Sequence, residues 1–113
     1  MKLTSPSQIK AIMDSHGIRF NKGYGQNFLI SEEVPYKIAR ECGADRSCGV
    51  IEVGPGIGTL TSELAEVAKK VVAVEIDTNL IGVLAETLSG FENVRVINSD
   101  ILKIDLKKLV EEE

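Results

Sequence analysis

Residues 50–61 read Val-Ile-Glu-Val-Gly-Pro-Gly-Ile-Gly-Thr-Leu-Thr, and the rest of the chain arranges itself around them. The apolar run before Gly54 predicts a short buried strand. Gly54-Pro55-Gly56-Ile57-Gly58 predicts a tight turn, and Thr59 the opening of a helix. Gly54 and Gly56 let the backbone turn sharply and approach a ligand, and Gly58 lets the new helix lie against the strand. Between a strand and a helix, such a turn is a nucleotide-type cofactor site more often than a plain connection.

Working outward, strands and helices alternate. Gly49–Val53 predicts the first strand, and Thr59–Ala68 a helix with Leu60, Leu64 and Val67 inward. Val71–Glu75 is a second strand, Asn79–Leu88 a helix facing inward through Leu80, Leu84 and Leu88, and Val94–Ile97 a third strand. Apolar strands separated by amphipathic helices indicate a parallel sheet covered on both faces. Right-handed crossovers place the strands in spatial order 3-2-1, and Arg95 suits an edge. The fold class is therefore α/β, with a βαβαβ unit over residues 49–113, and a further helix is expected within Lys103–Glu113.

Residues 1–48 form a helical and loop lead-in. Ser5-Pro6 reads as a cap and first helical position, with Ile9, Ile12 and Met13 on one face and Gly17 as the stop. Arg19–Leu29 (RFNKGYGQNFL) has neither helical nor strand period; polar groups interleaved with aromatics suit a ligand, a nucleobase or a plain connecting loop. Ser31 caps a second helix with Glu32 and Glu33 in its first turn, a buried stripe of Val34, Ile38 and Cys42, and Gly43 as its end.

Composition narrows the function. At 113 residues the chain is one domain at most, and no apolar run approaches a membrane span. Cys42 and Cys48 have no histidine partners and read as reduced thiols in a cytoplasmic protein; no metal site is expected. His16, the single histidine, reads as a surface or helix-end residue rather than part of a triad. The net charge of −4 argues against a generic nucleic-acid binder. Yet residues 1–48 hold seven basic against five acidic side chains, and residues 49–113 six against twelve, so a polyanion would meet the N-terminal part.

In an open α/β sheet, ligands bind at the carboxyl ends of the strands. There the glycine turn follows the first strand, Glu75 closes the second and Asp100 follows the third. Glu75 stands 17 residues after Gly58, near the spacing at which an acidic residue accepts both ribose hydroxyls of a nucleoside. Asp100 is placed to accept from an adenine amino group. The competing structural roles are helix caps, Asp77 for the second crossover helix and Asp100 for the turn after the third strand. Glu52, inside the first strand, reads as a brace for the turn. A dinucleotide fingerprint is G-x-G-x-x-G, whereas here the third glycine comes one place early and Pro55 removes a backbone donor. Both departures favour S-adenosylmethionine, which has a ribose and an adenine but no phosphate.

Gly25-Gln26-Asn27-Phe28-Leu29, Glu52–Thr61, Val74-Glu75-Ile76-Asp77 and Asn98-Ser99-Asp100 together closely resemble the ribosomal RNA adenine dimethyltransferase family. The likeness runs from about Ser5 to the end. It is nearest the KsgA-type branch, which dimethylates two adjacent adenosines of small-subunit rRNA. The resemblance implies a Rossmann-like methyltransferase domain, S-adenosylmethionine as cofactor and the small ribosomal subunit as partner. It implies that Asn27 and Leu29 contact the methionine end, that Gly54 and Gly56 line the pocket, that Glu75 takes the ribose hydroxyls, that Ile76 packs on the adenine face and that Asp100 takes its amino group. The family's Asn-Leu-Pro-Tyr-type catalytic motif does not occur in the 113 residues. The expectation is therefore the N-terminal portion of a methyltransferase domain, inactive alone, with no catalytic residue assigned. The first strand's bare edge is expected to promote self-association. The alternatives are a large-subunit methyltransferase of the erythromycin-resistance type and a non-catalytic ribosome-assembly factor.

Overall fold

A computed structural model describes residues 6–17 and 33–113 of the chain. Two helices come first, α1 (Pro6–Ser15) and α2 (Glu33–Glu41). Then follow β1 (Gly49–Val53), α3 (Thr59–Val67), β2 (Lys70–Glu75), α4 (Asn79–Thr87), β3 (Val94–Asn98), a 3-10 turn (Ile101–Lys103) and α5 (Leu106–Glu112). The three strands are parallel in the order β1-β2-β3, the arrangement expected from right-handed crossovers. Gly49 pairs with Lys70 and Val53 with Val74, while Val71 pairs with Val94 and Glu75 with Asn98. The strand ends carrying the glycine turn, Glu75 and the segment before Asp100 are thereby level at one rim of the sheet.

The apolar pattern explains which strand is central. Five consecutive residues of β2, Val71 through Glu75, are buried, whereas β1 and β3 are half-buried. Side chains alternate across a sheet, so β2 is covered on both faces. Val71 packs with Leu64, Ala65 and Ala68 of the α3 segment, and Val72, of opposite orientation, shares a cleft with Leu109 of α5. A second cluster joins Ile12 and Met13 of α1 to Ile57 of the glycine turn and to Leu80 and Val83 of α4. The lead helix thus docks beside the turn. Its end is tied to α4 by His16, whose Nε2 lies 2.7 Å from Glu86 Oε2, in keeping with a helix-end histidine. Arg95 is exposed on edge strand β3 and pairs with Glu113, which also meets Lys70 Nζ at 2.7 Å.

One helix faces differently from its sequence reading. In α2, Pro35 and Ala39 are buried, while Ile38 and, just after the helix, Cys42, both expected inward, are exposed; the side chain of Val34, the third residue of that expected stripe, lies outside those described. Ala39 packs among Leu64, Ala65 and Ala68, and a small side chain there lets α2 lie close to α3. Arg40 then reaches across to Glu63 and Glu66, both at 3.3 Å, and stacks its guanidinium on Tyr36. Close approach and ion pairing set this face rather than the larger aliphatics. Proline is tolerated at position 35 because the first helical turn has no internal partner for its N–H. Ser5, Ser31 and Glu32, expected at helix starts, lie outside the described residues. Gly17 and Gly43 end α1 and α2 with φ of 65° and 87°, as their positions in the sequence predict.

Candidate cofactor site at the strand ends

The glycine turn leaves β1 by one more ladder bond: Gly54 N–H donates to Val74 O at 2.9 Å. Gly54, Gly56 and Gly58 then have φ of 69°, 62° and 94°, a region that side-chain-bearing residues rarely enter. An added Cβ on Gly54 would meet nothing within 4 Å, so space opens above the turn there. Gly58 is different and corrects the expectation that it lets α3 lie on the strand. A Cβ at 58 would come within 3.0 Å of Thr87 Oγ1, 3.2 Å of Leu88 and 3.3 Å of Leu84, so its bareness admits the end of α4. Thr87 confirms that closeness by donating to Ile57 O at 2.8 Å. Pro55, Ile57, Gly58 and Thr59 are buried and Gly54 is exposed, so the turn's apolar side faces in and its first glycine faces out.

Glu75 sits at the carboxyl end of β2, only 4% exposed. Its Oε1 accepts from Gly56 N–H at 3.2 Å and its Oε2 from Asp77 N–H at 2.9 Å. One carboxylate thus joins the glycine turn to the turn that starts α4. A carboxylate offers about four acceptor positions, so two remain for outside donors such as a pair of hydroxyls. Next to it, Ile76 is 52% exposed and Val53, at the end of β1, 59% exposed. Two bare aliphatics at the rim of an otherwise buried sheet provide a surface on which a flat aromatic ring can lie.

Asp100 follows β3, half-buried, and its Oδ1 accepts from Leu102 N–H at 2.9 Å. Asp77 accepts from Asn79 N–H at 3.0 Å at the start of α4. Both therefore take the capping roles weighed for them in the sequence. For Asp100 this leaves the second oxygen for another donor. Asn98 steadies the rim by donating to Glu75 O at 2.9 Å, and Ser99 N–H donates to the same carbonyl at 3.1 Å. The structure thus brings Gly54, Gly56, Glu75, Ile76 and Asp100 to one rim. Asn27 and Leu29 lie outside the described residues.

Glu52 has the geometry of a brace: Thr61 Oγ1 donates to its Oε1 at 2.5 Å, tying β1 to α3 beneath the turn. Burial, with the Glu75 charge added, pushes the Glu52 carboxyl up from 4.5 to about 7 against the opposing hydrogen bond from Thr61. A glutamate inside an apolar strand is the sequence signal for such a group. Its partner was not legible, because Thr61 reads as an ordinary helical residue. A cavity of about 510 Å³ lies elsewhere, at the amino ends of β1 and β2 beneath α5, and contains none of these residues.

With this geometry in place, comparison with known proteins decides the family. The model for the ribosomal RNA adenine dimethylase family matches residues 17–113. The chain belongs to that family. It is 50% identical over 109 residues to the ribosomal RNA small subunit methyltransferase A of Staphylococcus epidermidis, covering 96% of this chain and 37% of that protein. It is 49% identical over 112 residues to the protein of the same name from Streptococcus uberis, covering 99% of this chain and 39% of that one. The chain thus spans well under half the length of these curated relatives.

Among solved structures, the 23S rRNA methyltransferase ErmE is 41% identical with a TM-score of 0.65, covering 69% of this chain and 32% of that one. A dimethyladenosine transferase from Plasmodium falciparum is 30% identical with a TM-score of 0.60, covering 66% of this chain and 28% of that one. The parallel α/β sheet expected from the strand pattern, and the Rossmann-like methyltransferase fold implied by the resemblance, agree with these structures.

Proposed function

We propose that this chain supplies the S-adenosylmethionine-binding part of a cytoplasmic ribosomal RNA adenine N6,N6-dimethyltransferase that acts on the small ribosomal subunit. The observation carrying the reading is Glu75, whose carboxylate is fixed by Gly56 and Asp77 N–H groups beside exposed Ile76. Positioned so, Glu75 accepts the ribose hydroxyls, Ile76 supports the adenine ring, and the second oxygen of Asp100 takes the adenine amino group. The open side of Gly54 admits the methionine end, where Asn27 and Leu29 are assigned by family likeness. When bound, the cofactor supplies an activated methyl on a sulfonium for in-line displacement by an amine. The residues here bind and orient, and no proton transfer is assigned to them. The small-subunit preference rests on identity: 50% over nearly the whole chain with the Staphylococcus epidermidis protein, against 41% over 69% with the 23S enzyme.

Isothermal titration with S-adenosylmethionine, with NAD as control, tests the reading. Heat is expected with the sulfonium cofactor alone and is weakened by Ile76→Asp, whose exposed position leaves folding intact. Heat with NAD of equal size, or binding indifferent to Ile76→Asp and to Glu75→Gln, would sink the assignment.

A further inference from the structure

His16, the single histidine of the chain, sits in surroundings more specific than a helix end requires. Its ring lies over Gly82 of α4, where an added Cβ would meet its Nδ1 at 3.4 Å and its Cε1 at 3.6 Å. An alanine methyl just fits beneath that ring, and a branched side chain does not. One helical turn further along, Glu86 Oε2 accepts from His16 Nε2 at 2.7 Å. Glycine is a poor helix former, so its place inside α4 is accounted for by the ring it seats. The helix that His16 ends has little else to hold it. α1 has ten residues, a length at which an isolated helix is marginal in water. Among its described side chains only Ile12 and Met13 are buried, and they meet Ile57 of the glycine turn and Leu80 and Val83 of α4.

We propose that His16 is a positioning residue: seated on Gly82 and held by Glu86, it straps α1 against the glycine turn, and the docked α1 and an adenosyl ligand at that turn stabilise one another. The contacts run without a gap. α1 presses on the Ile57 side chain, Thr87 holds the Ile57 carbonyl at 2.8 Å, and the adjoining Gly56 N–H donates to Glu75 at 3.2 Å. The two-state element is α1 itself. Docked, it closes the apolar side of Ile57, Leu80 and Val83. Released, it leaves that side to water, and the turn loses the packing that fixes Gly56 beside Glu75. Ordering ten residues against the burial of two side chains nearly balances, so one charge-assisted hydrogen bond decides between the states. A ligand that needs Gly56 and Glu75 in place favours the docked state, and by linkage the docked state favours the ligand.

The ligand half of the proposal rests on the adenosyl reading of the site, so the test has a ligand-free arm. There, amide hydrogen exchange is followed over residues 12–17, with the β2 amides as a control for the intact sheet. Protection of residues 12–17 is expected to fall about tenfold in His16→Ala and in Glu86→Gln, with the double variant falling no further than either alone. It is expected to survive Gly82→Ala and to be lost in Gly82→Val, although both substitutions favour α4 as a helix. No protection in the native chain, protection indifferent to His16→Ala, or equal protection in Gly82→Ala and Gly82→Val overturns the strap. The second arm adds S-adenosylhomocysteine. Once bound, it is expected to slow exchange over residues 12–17, and its affinity to fall about threefold or more in His16→Ala while holding in Gly82→Ala. Equal affinity in the native chain and His16→Ala, with α1 exchange unmoved by the ligand, overturns the coupling. A strap that behaves as expected in a chain binding no adenosyl ligand supports the role of His16 in docking α1 and refutes the cofactor reading.

Discussion

Glu52, Gly58 and Thr87 each carry a consequence that can be measured on its own. Glu52 holds a proton in the folded chain up to about pH 7 that it gives up near 4.5 when unfolded. Between those values the folded state binds more protons than the unfolded state, so this group's contribution to stability falls as pH rises and levels off above 7. A series of thermal melts should show that fall in the native chain and its absence in Glu52→Gln, with a difference of about 3 kcal/mol or less across the window. Gly58→Ala forces a side chain into φ of 94° and against Thr87, and is expected to cost about 1–3 kcal/mol in urea denaturation. Thr87→Val keeps the shape but leaves Ile57 O without its donor, for a loss of about 1–2 kcal/mol. The sequence made the need for glycine at 58 visible, because the turn residues cluster there. It did not show which neighbour presses on that glycine, since Thr87 lies 29 positions away and only the fold brings it near.

The strands and their helices were legible because each buries one continuous apolar set. Val71–Val74 could belong only to a strand covered on both sides, and Leu80, Leu84 and Leu88 only to one helical face. The second helix shows where that logic stops. Val34, Ile38 and Cys42 share a face by spacing, but tight helix contact selects small side chains, and Arg40 anchors the opposite choice through Glu63 and Glu66. Hydrophobic periodicity cannot weigh an inter-helix ion pair against a half-exposed isoleucine. Two substitutions separate the readings. Ile38→Ser should change stability by less than about 0.5 kcal/mol, whereas Ala39→Leu overfills the contact with α3 and should cost about 1–3 kcal/mol. The reverse order in chemical denaturation would restore the Ile38 face as the buried one.

Across the whole molecule, the described residues pair β1 on one side only, with β2. Val110 of α5, which lines a cavity with Val50 and Ile51 of β1, is 66% exposed. An apolar sheet edge of this kind is a template for another strand. We expect the 113-residue chain to self-associate, with a weight-average mass in light scattering that rises with protein concentration. A monomer that persists at the highest attainable concentration would show the edge to be protected. This surface, unlike the cofactor rim, was readable from topology alone: once the strand order is 3-2-1, the first strand must lie outermost.

That same order bears on how the protein is made. Because β1, β2 and β3 lie side by side as they occur in the chain, each new strand docks on the one synthesised just before it. The glycine turn needs Glu75, 19 residues beyond Gly56, and Thr87, 30 residues beyond Ile57, and nothing from farther along among the contacts described for it. Chains emerge at roughly 5–20 residues per second and fold from the N-terminal side. The glycine turn can therefore take shape within seconds of the last strand leaving the exit tunnel. Arrested nascent chains ending a few dozen residues past Asn98 should already show protease protection of the Gly54–Gly58 turn, and added S-adenosylhomocysteine should deepen it.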